Sequence, residues 1–162
     1  MGAIRTGTVL PLSRLTMTEL VSAVVNKGAS VRFQAGGFSM APFIKDGDVV
    51  TLSPLRGQKP ALGDVVAFSH PQNGSLCLHR VVSKRGAFYT TKGDNKCRDG
   101  EIVQEQNILG SVTRVERDGK NVFLGLGPER YLVAFLSRNR LLFPLFFPIW
   151  RVIRLFDRRA AL

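Results

Sequence analysis

The sequence predicts an all-β-dominated, antiparallel domain with a short N-terminal helix and a helical C-terminal appendage. Two observations carry that expectation. Between residues 30 and 126, short runs rich in Val, Ile, Leu, Phe and Thr recur, separated by Gly, Pro, Asp and Asn, the pattern of strands joined by turns. Before that stretch one segment has helical spacing, and after it the composition shifts to Leu, Phe and Arg. A chain of 162 residues suits one domain that buries a core without disulfides or metals. Hydrophobic content of 44% with 22% charged residues excludes disorder along the whole chain.

In the N-terminal unit, residues 1–29, Met17, Leu20, Val21, Val24 and Val25 recur at helical spacing, with Thr16 or Thr18 as N-cap and Gly28 beyond the end. No stretch before Ser39 approaches the roughly 20 apolar residues that a bilayer requires, so no membrane anchor is expected there. The opening Met1-Gly2-Ala3-Ile4-Arg5-Thr6 fits a myristoylation pattern too short to carry weight and is read as chance.

The β domain, residues 30–126, is expected to place strands at 31–33, 49–52, 65–68, 76–82, 88–91, 108–115 and 122–124. Gly47-Asp48 and Gly63-Asp64 each precede a strand, and Asp118-Gly119 marks a hairpin turn. Beyond Gly127-Pro128, residues 127–162 form a basic, apolar appendage. Its apolar run at 141–150 is only ten residues long and holds Pro144 and Pro148, so length and helix breaking both argue against a full span there. An interfacial segment is one reading, with Trp150 at headgroup depth; a tail folded onto the domain or onto a partner protein is the other.

The charge balance, 23 Lys and Arg against 12 Asp and Glu, makes a field that attracts polyanions. Because Arg138, Arg140, Arg151, Arg154, Arg158 and Arg159 border the apolar run, residues 138–159 point to an anionic membrane surface more than to nucleic acid. The expected location is peripheral, on the cytoplasmic side of a membrane. Cys77 and Cys97 read as two thiols, since no secretory signal precedes them and two thiols make no metal site; no cofactor or metal is called for.

Candidate chemistry begins at Gly36-Gly37-Phe38-Ser39-Met40-Ala41-Pro42, a turn that can expose a serine hydroxyl to a cleft. A free hydroxyl is a poor nucleophile and needs a base. Of the two histidines, His70 lies in a turn-like segment and reads as a solvated loop residue, whereas His79 interrupts an apolar strand, where an imidazole needs a partner or a cleft. If residues 76–82 and 88–91 form a hairpin, the loop that follows returns near His79, and Asp94 or Asp99 could orient the imidazole. A serine in a Gly-rich turn and a satisfied strand histidine are the plain alternatives to both assignments.

In order, Gly-Phe-Ser-Met-Ala-Pro, Gly47-Asp48, Gly63-Asp64-Val65-Val66, His79-Arg80-Val81 and Lys92-Gly93-Asp94-Asn95 resemble the boxes of signal peptidase I, over about residues 31–115. With His79 before Arg-Val, where the bacterial branch has lysine, the chain resembles the Ser-His, archaeal and endoplasmic-reticulum branch. The resemblance implies a signal-peptidase/LexA-like β-barrel and a serine endopeptidase acting on an extended segment of a precursor protein or peptide. Ser39 would be the nucleophile, His79 the general base, and a Ser39 backbone N–H part of the oxyanion hole. Gly37, Phe38, Met40, Pro42 and Val66 would meet substrate, with residues 34–38 and 65–68 as edges for an added strand and small residues preferred before the cleavage point. The LexA-type relatives carry a helix-turn-helix, for which the residues before Ser39 leave too little room. Remaining alternatives are a dedicated cytoplasmic maturation protease, and a non-enzymatic basic β domain that binds membrane or nucleic acid and needs no particular chemistry at positions 39 and 79.

Overall fold

The computed structural model describes residues 14–96 and 100–141. Helix α1 (Arg14–Asn26) begins earlier than its apolar spacing suggests. It buries Val21 and Val25, each contributing about 1.5–3 kcal/mol through loss of apolar surface to water, while Leu20 stays 47% exposed. The helix stops at Gly28, whose φ of 77° suits a residue without Cβ. Gly28 N–H donates to Val25 O at 2.8 Å and Ala29 N–H to Val24 O at 3.3 Å, so the last carbonyls are satisfied by a Schellman turn.

The strands are β1 (Val31–Gln34), β2 (Val49–Ser53), β3 (Val65–Ser69), β4 (Leu76–Arg85), β5 (Phe88–Lys92), β6 (Glu101–Gln104), β7 (Ile108–Arg117) and β8 (Lys120–Val122). They form one antiparallel sheet in the order β1-β2-β7-β3-β4-β5-β6, with β8 on β7. Strand β7 organises it: one edge pairs with β2, and the other pairs first with β3 and then with β8. Register shifts at Thr51/Leu52, Ala67/Phe68 and Val81/Ser83 add local twist, and the sheet curls into a half-barrel. Its ends stay open, because β1 pairs only with β2 and β6 only with β5 among the described residues.

Two strands depart most from the sequence pattern. Strand β6 carries a charged first residue and only two apolar ones, so period and propensity leave it unmarked; pairing with β5 makes it a strand. Strand β8 ends at Val122, leaving Phe123 and Leu124 exposed in the following turn. Asp118 and Gly119, with φ of 51° and 74°, form the β7–β8 turn in the left-handed region that two-residue hairpins require.

The core lies on both faces of β3. Val65 and Ala67 join Val21, Val50, Leu52 and Val115 on the face covered by α1, while Val66 and Phe68 join Val81, Tyr89 and Val103 on the other. Helix α2 (Arg130–Arg138) is seated on the sheet and not detached from it: Val133, Ala134 and Ser137 are buried, and Lys92 Nζ donates to Ser137 O at 2.7 Å. Packing therefore continues past the boundary expected at residue 126. The remainder of the appendage, residues 142–162, lies outside the described residues.

Candidate active site

Ser39 sits in the loop between β1 and β2, and that loop is closed at its base. Ala35 N–H donates to Asp48 O at 2.7 Å, Gly47 N–H to Ala35 O at 2.9 Å, and Gly37 N–H to the Asp46 carboxylate at 2.7 Å. Within it, Ala41 N–H donates to Phe38 O at 3.2 Å, closing a turn with Ser39 and Met40 at its centre. Gly37 takes a φ of 89°, which explains a glycine immediately before the Phe-Ser pair. The Gly47-Asp48 box anchors the far end: Asp48 accepts from Lys45 N–H at 2.8 Å and from the Arg117 guanidinium at 2.8 and 2.7 Å. Burial alone would raise the Asp48 carboxyl, but the Arg117 and Lys45 bonds hold it below its ordinary value.

The Gly93-Asp94-Asn95 loop clamps the serine from the other side. Asn95 N–H donates to Ser39 O at 2.8 Å, and Asn95 Nδ2 donates to Phe38 O at 3.2 Å. A Cβ on Gly93 would stand 2.6 Å from Ser39 O, so only glycine allows this approach. Asp94 faces away from the histidine. Its carboxylate takes the Arg80 guanidinium in a bidentate pair, Nε to Oδ1 at 2.9 Å and Nη2 to Oδ2 at 2.7 Å, with both side chains wholly buried. Burial pushes the Asp94 carboxyl up, opposed by Arg80 and Lys92. Arg80 also donates from Nη1 to Gly63 O at 2.8 Å and Gly125 O at 2.7 Å. One buried arginine thus joins the Gly63-Asp64, His79-Arg80 and Gly93-Asp94 boxes.

His79, next along β4, projects to the opposite face because side chains alternate on a strand. It is 3% exposed, and its ring lies 5.7 Å from that of Phe68. The carboxylate set against it is that of Glu101, at the start of β6, with Oε2 3.5 Å from His79 Nδ1. Among the described residues neither atom has a hydrogen-bond partner. Glu101 is also 3.3 Å from Lys96 Nζ and 3.9 Å from His70 Nε2. Burial pushes the His79 pKa down to about 4; Lys96 and His70 add to the fall and Glu101 opposes it. The imidazole is therefore neutral near pH 7 and able to accept a proton.

Ser39 and His79 line the same cleft, of about 740 Å³. Its walls come from α1 (Met17), β1 and the serine loop (Phe33 to Gly37, Met40), the β3–β4 turn (His70, Asn73, Ser75), the first half of β4 (Leu76 to Leu78), and Lys96 with Glu101. Two strand edges border it. Among the described residues strand β1 ends the sheet, and residues 76–79 of β4 pair with β3 alone, since β5 joins β4 only from Arg80 onward.

Of the residues marked in the sequence, Ser39, His79, Gly37 and Met40 meet at this cleft. Two site assignments are corrected. Asp94 does not orient His79, because Arg80 takes both of its oxygens. Val66 does not contact the cleft: it is wholly buried in the second core cluster, and with β4 and β7 on either side, residues 65–68 are an interior strand and no edge. Phe38, 69% exposed, and Pro42, partly buried after a cis peptide bond, stand outside the cleft walls. Asp99 lies outside the described residues. His70 is half-buried at the cleft and no solvated loop residue. Sequence reasoning missed Glu101 because its search stopped at the first loop after the hairpin, whereas Glu101 opens the next strand. Among the described residues, no group of His, Cys, Asp and Glu is arranged to hold a metal ion, and no helix is long and apolar enough to cross a membrane. Compared with known protein families, curated proteins and solved structures, the chain shows no match.

Proposed function

We propose that this chain is a serine endopeptidase of the signal peptidase I type, Ser-His branch, on a signal-peptidase/LexA-like scaffold. The observation that carries the reading is the meeting of Ser39 and His79, from a loop and a distant strand, in one cleft with a carboxylate 3.5 Å from His79 Nδ1. The interlocking of the five boxes through Arg80, Asp48 and Asn95 supports it further, since each box then has a part in holding Ser39 or His79.

In this mechanism the substrate lies extended between residues 34–37 and 76–78, adding a strand to the free edges. Ser39 Oγ attacks the scissile carbonyl while His79 Nε2 takes the hydroxyl proton. Glu101, facing Nδ1, holds the tautomer and stabilises the imidazolium. Ser39 N–H donates to the oxyanion. Collapse breaks the C–N bond, the amine leaves with the proton from His79, and water hydrolyses the acyl-enzyme by the same steps in reverse roles.

The test is cleavage of precursor peptides with small residues before the cut, by the full chain in detergent or liposomes, followed by mass spectrometry. Wild type should cleave, and Ser39→Ala and His79→Ala should not. Folded wild type that cleaves none of them, or Ser39→Ala that cleaves at the wild-type rate, overturns the proposal in favour of a binding domain. Secretory and non-secretory precursors in one panel separate export processing from a dedicated maturation role.

A further inference from the structure

Away from the cleft, a second groove of about 370 Å³ runs between β4, β5, β6 and the end of α2. Arg85, Lys92, Arg138 and Arg140 line it, and no carboxylate does among the described residues. Lys92 is committed to Ser137 O, but neither Arg85 nor Arg138 has a carboxylate partner among the described residues. Arg85 and Arg138, lining one groove with no carboxylate partner among the described residues, repel one another, which is tolerated where an anion joins them. Phe88 and Ile102 on the same groove are 49% and 67% exposed.

The exposed face of α2 leads to this groove. Val133, Ala134 and Ser137 occupy the side against the sheet, so helical geometry places Tyr131, Phe135 and Arg138 on one outward stripe, with Leu132 beside it. Tyr131, Leu132 and Phe135 are 49%, 60% and 59% exposed. An apolar helix face ending in an arginine, beside a basic groove rimmed by two more apolar side chains, has the chemistry of a lipid interface. A soluble phosphate or a nucleic acid would use the cations and leave Phe88, Ile102, Leu132 and Phe135 in water. The sequence beyond Leu141 continues in the same composition.

We propose that this groove and the outward face of α2 dock on an anionic bilayer, Arg85 and Arg138 binding lipid phosphates while Leu132 and Phe135 enter the headgroup–acyl boundary. This surface does not depend on the peptidase reading and would seat the folded domain itself on the membrane.

The experiment is co-sedimentation of the full chain with phosphatidylcholine vesicles, with and without phosphatidylglycerol. Comparison is with Arg85→Glu/Arg138→Glu and Leu132→Ser/Phe135→Ser, each checked for an unchanged thermal midpoint. Wild type should prefer anionic vesicles, and each double variant should lose about tenfold or more in partitioning, the first through two basic contacts to lipid phosphates and the second through the apolar area no longer buried at the interface. Three results overturn the proposal. One is folded variants that bind as wild type. Another is displacement of wild type from vesicles by glycerol phosphate at the lipid-phosphate concentration, which would make the site one for a free anion. The third is loss of oligonucleotide binding in the arginine variant with vesicle binding intact, which would assign the groove to nucleic acid.

Discussion

Arg80 and Asp94 form a bidentate ion pair in which both side chains are wholly excluded from water, and the same arginine satisfies the carbonyls of Gly63 and Gly125. The pair takes up both Asp94 oxygens, leaving none for His79. Its members are adjacent, respectively, to His79 on β4 and to the Gly93 and Asn95 that touch Ser39, so it ties the two halves of the candidate site together.

Replacing Asp94 with Asn leaves a buried guanidinium without its counter-charge, at a cost of about 3–5 kcal/mol. Urea unfolding should show that loss, with cleavage falling only as the folded fraction falls. An orienting carboxylate would behave oppositely, losing turnover at near-wild-type stability, and that outcome would return Asp94 to the catalytic group.

Gly93→Ala would drive a methyl group to 2.6 Å from Ser39 O, and Gly110→Ala would drive one to 2.5 Å from Ser53 O, away from the cleft. Both substitutions should destabilise by about 1–3 kcal/mol through overpacking. Only Gly93→Ala should also lower kcat/KM, by roughly 10²-fold, because it displaces Ser39, the proposed nucleophile. Equal kcat/KM for the two variants would show that the Gly93 contact does not position Ser39.

An unperturbed histidine base would place the acid limb of activity near pH 6.5. With burial, Lys96 and His70 lowering His79 to about 4, kcat/KM should hold through pH 6 and fall only near pH 4. Lys96→Gln removes one lowering charge and should move the limb up. Glu101→Gln should move it down and reduce kcat by roughly 10²-fold or more. The same shift bears on folding. Between pH 6.5 and about 4 the unfolded chain binds a proton at His79 that the folded chain does not, so this contribution to stability is complete above pH 6.5 and is lost as pH falls towards 4. A limb near pH 6.5 in wild type, unmoved by Lys96→Gln, would contradict this environment for His79.

What the sequence by itself determined follows from short-range physics. Alternating apolar runs and turn residues marked most of the strands, Gly28 the end of α1, and Asp118-Gly119 the β7–β8 turn, because these depend on backbone preferences within a few residues. A lone histidine in an apolar strand and a serine in a glycine turn were likewise legible as residues in need of partners. Which partner each received was not. Asp94 and Glu101 are both carboxylates downstream of the hairpin, and only the β5–β6 pairing, with Thr91 opposite Glu101, brings the later one to His79 while Arg80 takes the earlier. Val66 reads like an edge residue beside the strand of His79, but sheet order places β3 between β4 and β7 and buries both of its faces. Long-range pairing decided these points, because the free energy of a buried charge or a covered strand face depends on neighbours that local spacing does not specify.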